Sequence, residues 1–354
     1  MPINNHKTPH HPYRRIVRKN NALLFTLALV LLLTLVPACA KGESPAAVTT
    51  TAVSTVAAKS RVEAIPAGKE KMSPGADRLP PILHSAEFEQ PVPLGAGVNT
   101  AGAEDSAFVM PDGNTLYFFF TPDGTIPAEK QLFDGVTGIW VSKRVDGVWQ
   151  EATRVVLEAP DELALDGAAC VQGDRIWFCS ARQGNYRGVD MWTAEYQNGA
   201  WGKPEILSKQ LNVDFEMGEV HVAASGSEIY FHSARVGGEG GVDIWLTRKV
   251  GGEWQMPENV AAVNLPDIDG WPFLTQDGNE LWFTRIYQGS PAVFRSKKVD
   301  GQWSEPELIV SQFAGEPSVD NEGNLYFTHH FYWDGKMLEA DIYVAKKSEV
   351  SSNK

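Results

Sequence analysis

The chain has 354 residues, 43% hydrophobic and 21% charged, a composition that supplies a sizeable core and excludes wholesale disorder. Its 44 acidic residues outnumber 31 basic ones, for a formal net charge of -13. That balance excludes nucleic acid as a partner class, because phosphate binding needs clustered Lys and Arg.

The N-terminus carries the marks of an export signal: a basic stretch "RRIVRKNN" from Arg14, an apolar run "ALLFTLALVLLLTLV" from Ala22, then "PACAKG". The apolar run is shorter than the about 20 residues that a membrane-spanning helix needs. Val36, Pro37, Ala38 and Cys39 resemble a bacterial lipobox. The resemblance implies a lipoprotein signal peptide over residues 1–38, a lipid on Cys39, and a protein anchored to the membrane at the cell envelope, periplasmic or surface-exposed. An ordinary secretory signal cut nearby is the alternative. After Cys39 comes "GESPAAVTTTAVSTVAAKS", poor in large apolar residues, which predicts a disordered tether over residues 39–80. The globular body is expected over residues 81–347, with a flexible tail at 348–354.

Within that body a single pattern recurs at a period of about fifty residues. Aromatic strands are expected at "LYFFF" from Leu116, "IWFCS" from Ile176, "IYFHS" from Ile229, "LWFTR" from Leu281 and "LYFTH" from Leu325. Each follows a shorter strand and a turn such as "PDGN" or "QDGN", which is hairpin chemistry. A third strand comes next: "GIWVSK", "DMWTAE", "DIWLTR", "AVFRSK" and "DIYVAK". A fourth carries Trp149, Trp201, Trp254 or Trp303, and Pro204, Pro257 and Pro306 follow the last three of these. Proline there fits an outer edge strand, where a missing N–H costs no ladder bond.

Five copies of the first three strands stand against four of the fourth. "AEFEQPVPL" from Ala86 matches the missing one, with Phe88 in the Trp position and Pro91 in the Pro position. The expected fold is therefore all-β: a five-bladed β-propeller closed by an N-terminal outer strand, preceded by a signal peptide and flexible linker. "PDGNTLYF", "DIW" and "DGQWSEPELI" are similar to the TolB-type, WD-like propeller repeats of bacterial envelope proteins, over nearly all of residues 86–345. Such repeats serve in binding modules, interaction proteins and peptidase-associated propellers, so the resemblance selects no reaction.

In a propeller of this kind the start of each first strand and the loop after each second strand share one face. Acids stand at the former: Glu104 and Asp105, Asp166, Glu219, Asp269 with Asp267 nearby, and Glu316. Cations and imidazoles stand at the latter: Arg182, Arg235, Arg285, His329 and His330, with His232 a little earlier. Together they would suit a sugar or small polar ligand. The same acids also suit a structural role, accepting backbone N–H bonds or pairing with the arginines. The first functional expectation is a non-catalytic binding or protein-interaction module whose partner is an envelope protein or glycan. The second is a glycoside-acting enzyme with Asp105, Asp166 and Glu219 as its carboxylates. No cofactor is expected. "DIDG" at Asp267 has a calcium-like spacing, admitting at most one calcium in the channel, but lacks the distal Glu of a full loop; His329 and His330, as strand neighbours, point to opposite faces. No metal site is predicted from either. Cys170 and Cys179 fall diagonally across one hairpin, a poor arrangement for a disulfide. The loop at 121–137 is longer than its counterparts, as binding loops often are.

Overall fold

The computed structural model describes residues 60–159 and 162–349; the expected export signal, Cys39, the part of the expected tether up to residue 59 and the end of the expected tail lie outside the described residues. The described chain is all-β, with only short helical segments. Its strands form successive antiparallel meanders, each a first, second and third strand joined by tight turns. The first unit is Ala103–Val109, Thr115–Thr121 and Gly138–Val145; the second is Ala164–Gln172, Arg175–Arg182 and Asp190–Gln197. Val220–Val222, Glu228–Ser233 and Asp243–Val250 make the third unit, and Asp269–Leu274, Glu280–Tyr287 and Ser290–Val299 the fourth. The fifth is Ala314–Val319, Leu325–Trp333 and Lys336–Ala345.

In the first four units an outer strand runs in two short pieces, such as Ala200–Trp201 and Glu205–Ile206, both paired with the third strand. Pro204, Pro257 and Pro306 fall between the pieces, at the break in the ladder. In the fifth unit the outer position is filled from the other end of the sequence: Val92 pairs with Val344, Pro93 with Tyr343, and Phe88 lies opposite Lys347. The first strands touch one another in cyclic order, and that of the fifth unit meets that of the first. A parallel bridge between Ala340 and Ala103 crosses this seam.

The repeated aromatics hold neighbouring units together. Trp303, on the outer strand of the fourth unit, meets Tyr230 of the third edge-on at 6.3 Å, and Trp149 of the first meets Tyr326 of the fifth at the same distance. Phe88, standing in for Trp in the fifth unit, meets Trp282 of the fourth at 5.9 Å. Edge-on pairs of this kind add roughly 0.5–1.5 kcal/mol to what area burial alone gives. Deeper in the second strands, Phe118, Phe178, Phe231, Phe283 and Phe327 are fully buried between the sheets. A four-stranded sheet with both faces apolar cannot stand alone, and stacking on its neighbours resolves this.

Residues 60–80 depart from the expected tether, because they are laid down on the fold as a strap. Ser60 caps the helix Arg61–Ala64, and Arg61 is fully buried. The Arg61 guanidinium lies 5.3–5.5 Å from the rings of Phe118, Phe120 and Trp140. It donates to the carbonyls of Gly97 and Val98 and to Glu104 and Glu151. Lys71 pairs with Glu339 and Asp341 of the fifth unit, Asp77 bonds His329 at 2.8 Å, and Arg78 covers the Trp333 ring. The strap thus spans the seam between the first and fifth units. A polar, small-residue composition hid it, since its anchors are long charged side chains entering preformed aromatic slots.

Cys170 and Cys179 are free and buried. Their partners across the hairpin are Trp177 and Gly167, so they do not face each other. Burial pushes the Cys170 thiol up to about 12.

Candidate functional site

The acids expected to form one ring fall on different levels of the first strands. Counting back from the aliphatic residue before each turn (Val109, Val171, Val222, Leu274, Val319), position five holds Glu104, Asp166, Met217, Asp269 and Ala314. Position four holds Asp105 and then Gly167, Gly218, Gly270 and Gly315. Position three holds Ser106, Ala168, Glu219, Trp271 and Glu316. The pairing register shifts at this point in four units, where Ser106, Ala168, Trp271 and Glu316 adopt left-handed φ values of 52°, 51°, 52° and 55°. Such bulges turn side chains at position three toward the axis. Glycine at position four reflects close approach: a Cβ at Gly218 would stand 2.4 Å from the His232 ring. Only the first unit has a side chain there, that of Asp105.

The acids of position five are consumed inside the fold, Asp166 and Asp269 by arginines of their own units and Glu104 by Arg61 of the strap and by Thr100. Arg182 donates twice to Asp166, at 2.7 and 2.9 Å, and Ser180 adds a bond at 2.6 Å. Arg285 donates to Asp269 at 2.6 Å, and Glu104 accepts from Arg61 and from both the amide and hydroxyl of Thr100. Each cation also lies on an aromatic ring of its unit, Arg182 5.0 Å from Trp192 and Arg285 4.8 Å from Phe294. Where the acid is missing, in the third unit, Arg235 still sits 4.8 Å from Trp245, with one terminal nitrogen buried and unpartnered. In the fifth unit His329 takes the slot and is held by Asp77 of the strap. Glu104, Asp166, Arg182, Asp269, Arg285 and His329 are therefore joined to partners inside the protein, and Asp166 is separated from the other two acids of the expected trio.

Asp105, Glu219 and Glu316 come together instead, from three units, at the central channel. Ser106 N–H donates to Glu316 at 2.7 Å and to Asp105 at 2.9 Å; Thr328 donates to Glu316 at 3.2 Å. His330 Nε2 stands 3.6 Å from Asp105 Oδ1, while His329 points the other way, as neighbours on a strand must. Burial, then the Asp105 charge, pushes Glu219 up to about 8 and Glu316 well above its ordinary value. Burial would raise Asp105 too, but hydrogen bonding to Glu316 and His330 outweighs it and holds this carboxyl below the usual range. Like charges this close cannot all ionise, so the three carboxyls titrate as a coupled set in which Asp105 favours the ionised form and Glu219 and Glu316 the protonated one.

Glu219 and Glu316 line a small cavity of about 50 Å³ together with Ser106, His221, Trp271 and Phe273. It has room for a water or for one functional group, a water's share of liquid volume being about 30 Å³. The indole N–H of Trp271 is near enough to Glu219 to favour its ionised form, yet it makes no hydrogen bond of normal geometry. His221 lies between Phe108 and Phe273, and burial lowers it to about 3. His232 is lowered by burial to about 4; its two ring nitrogens face the amides of Glu219 at 3.4 Å and Trp271 at 3.3 Å. A neutral imidazole has one lone pair to offer, so one of those amides goes unpaired. Sequence reading missed His221, Trp271 and the strap residues. The spacing back from the turn would have found Trp271, since it shares position three with Glu219 and Glu316.

Among the described residues no group of three or more His, Cys, Asp or Glu is arranged to hold a metal ion, and no helix is long and apolar enough to cross a membrane.

No family model matches the sequence, and no curated protein matches it. Solved structures that resemble the fold include TolB from Acinetobacter baumannii, 12% identical, with a TM-score of 0.40 over 72% of this chain and 56% of that one. Another is Trypanosoma rangeli sialidase in complex with the inhibitor DANA, 12% identical, TM-score 0.39, covering 71% and 56%. A third is a glycoside hydrolase, 14% identical, TM-score 0.44, covering 69% and 59%. The chain thus spans a little over half the length of these three proteins. Likenesses this weak carry no argument about the reaction, and the site is read from its own geometry.

Proposed function

We propose that the chain is a five-bladed β-propeller, exported and held at the cell envelope by a lipid on Cys39, that works as a non-catalytic binding module. Its ligand presents one small donor group, an ammonium or a hydroxyl, to Asp105, Glu219 and Glu316. The observation that carries this reading is the division of the acids: those of position five are neutralised by arginine, whereas Glu219 and Glu316, with Asp105 beside them, line a cavity to which no arginine contributes. A buried carboxylate cluster accepts hydrogen bonds from a donor that displaces its water. The cavity's size supports recognition of a small polar group of a larger ligand.

A glycoside-acting enzyme is the second reading, favoured by one observation. Glu219, protonated near neutrality, beside an ionised Asp105 is the division of labour between general acid and base. A thermal-shift screen of residues 60–354 against polyamines, amino sugars and neutral oligosaccharides, with product analysis of every hit, tests both. Stabilisation without cleavage, lost in Glu219→Gln with Glu316→Gln, is the expected result. Cleavage would replace the first reading with the second, and no shift with any compound would remove both.

A further inference from the structure

The second and third units are built alike around their arginines. Asp190 accepts from the amides of Tyr186 and Arg187, and Asp243, its counterpart, accepts from the amides of Glu239 and Gly240. The loops from second to third strand thus share one length and one tie, so that Arg235 matches Arg182 and Trp245 matches Trp192. The polar partners differ. In the second unit Asp166 accepts from Arg182, and Asn185 accepts from the indole N–H of Trp192 at 2.8 Å. In the third, Met217 stands in the place of Asp166 and Gly238 in that of Asn185. Both donors are left over: Arg235 Nη1 and Trp245 Nε1 are buried and have no hydrogen-bond partner. Unpaired buried donors are rare in folded proteins, so this slot is short of an acceptor.

The guanidinium is nevertheless held in place. It lies 6.0 Å from the Phe215 ring and 4.8 Å from that of Trp245, as Arg182 lies against Phe178 and Trp192. Ser180 bridges Arg182 and Asp166, whereas its counterpart Ser233 is turned to the Glu216 carbonyl and leaves Arg235 Nε free. Nε and Nη2 of Arg235 make no hydrogen bond and are open to solvent, since this residue is only half-buried where Arg182 and Arg285 are buried. Among the described residues no acid pairs with Arg235. Glu216, beside Met217, and Glu239, in the loop, are exposed and make no ion pair. Met217 is buried where the acid would be, so an acceptor for the open edge has to come from outside the chain.

We infer that the third unit holds a second binding point, which takes a carboxylate of a ligand on the Nε and Nη2 edge of Arg235 beside the Trp245 ring. The neighbouring units supply the chemistry: the group that meets the equivalent arginine is a carboxylate in both, Asp166 and Asp269. A guanidinium already fixed against aromatic rings presents its paired donors to two planar oxygens with little ordering left to do. Arg235, Met217 and Trp245 do not line the channel cavity, and the inference does not rest on the reading of the acid cluster there.

The test follows the indole N–H signal of Trp245 by heteronuclear NMR in residues 40–354 carrying isotope-labelled tryptophan, the signal being assigned by its disappearance in Trp245→Phe. Sodium acetate should move this signal saturably, and sodium chloride at the same ionic strength should not. Arg235→Met keeps an apolar stem on the ring and should weaken the acetate response at least tenfold. Met217→Asp rebuilds inside the slot the acid that the second unit has, and should abolish the response while the chain stays folded. No response to acetate, an equal response to chloride, or a response that persists in Arg235→Met would overturn the inference. A folded Met217→Asp variant that still responds as the parent does would overturn it as well.

Discussion

Replacing Arg61 by Ala removes the one strap side chain that is completely buried and leaves Glu104, also completely buried, without its cation. Glu104 would keep its two bonds from Thr100, and the rings of Phe118, Phe120 and Trp140 would face an empty slot. Breaking a buried ion pair from one side costs about 3–5 kcal/mol. At roughly 2 °C per kcal/mol for a chain of this size, the melting temperature should fall by about 6–10 °C at pH 8. The loss should depend on pH. Burial already places the Glu104 carboxyl at about 7 with Arg61 and Thr100 opposing it, and without Arg61 it rises further. A carboxyl raised above its unfolded value lends stability while protonated and loses it as pH climbs through the folded value. The variant should therefore lie closer to the parent at pH 6, where Glu104 is neutral in both, and fall behind above pH 7, by up to about 1.4 kcal/mol per unit. Differential scanning fluorimetry of residues 60–354 at pH 6 and pH 8 measures this. A variant within 2 °C of the parent at both pH values would refute the strap as a structural element.

Glu219, pushed up to about 8, stabilises the fold while protonated, so stability should decline as pH rises from about 4.5 through 8. Glu219→Gln should flatten that decline in a series of melting curves, and an unchanged slope would place the titration elsewhere. Both described cysteines should resist Ellman's reagent in the native state and react fully in guanidinium, because burial holds the thiols protonated. Prompt native labelling would contradict their placement. Trp303→Ala removes the edge-on contact with Tyr230 between the third and fourth units and should cost about 2–4 kcal/mol in chemical denaturation; a loss below 1 kcal/mol would show that this contact does not hold the units together.

The meanders were legible because the repeat states itself: an aromatic second strand, a Gly-bearing turn and an outer Trp recur in register. The use of residues 92 and 93 to finish the fifth unit followed from counting strands and from the match of Phe88 to the Trp position. The strap was not legible, because nothing in "SRVEAIPAGKEKMSP" has apolar periodicity and its hold on the fold comes from Arg61, Lys71 and Asp77 entering slots that only the folded units create. At the site, residue types were read correctly and levels were not. Asp166 and Glu219 looked equivalent as acids ahead of a strand, yet they lie on different levels of it: Glu219 lines the channel cavity, and Asp166 is left to Arg182. Alignment on the residue before the turn, rather than on the acid itself, would have separated them.

The most direct test of the account is isothermal calorimetry of the best thermal-shift ligand against three proteins: the parent, Glu219→Gln with Glu316→Gln, and Asp166→Asn. If the channel cluster is the binding site, the double variant loses binding at least tenfold, a difference of about 1.4 kcal/mol. Asp166→Asn should bind as the parent does while melting at a lower temperature, because Arg182 is left with a weaker partner. Loss of binding in Asp166→Asn with the double variant unaffected would contradict the account and return the site to the arginine-paired acids.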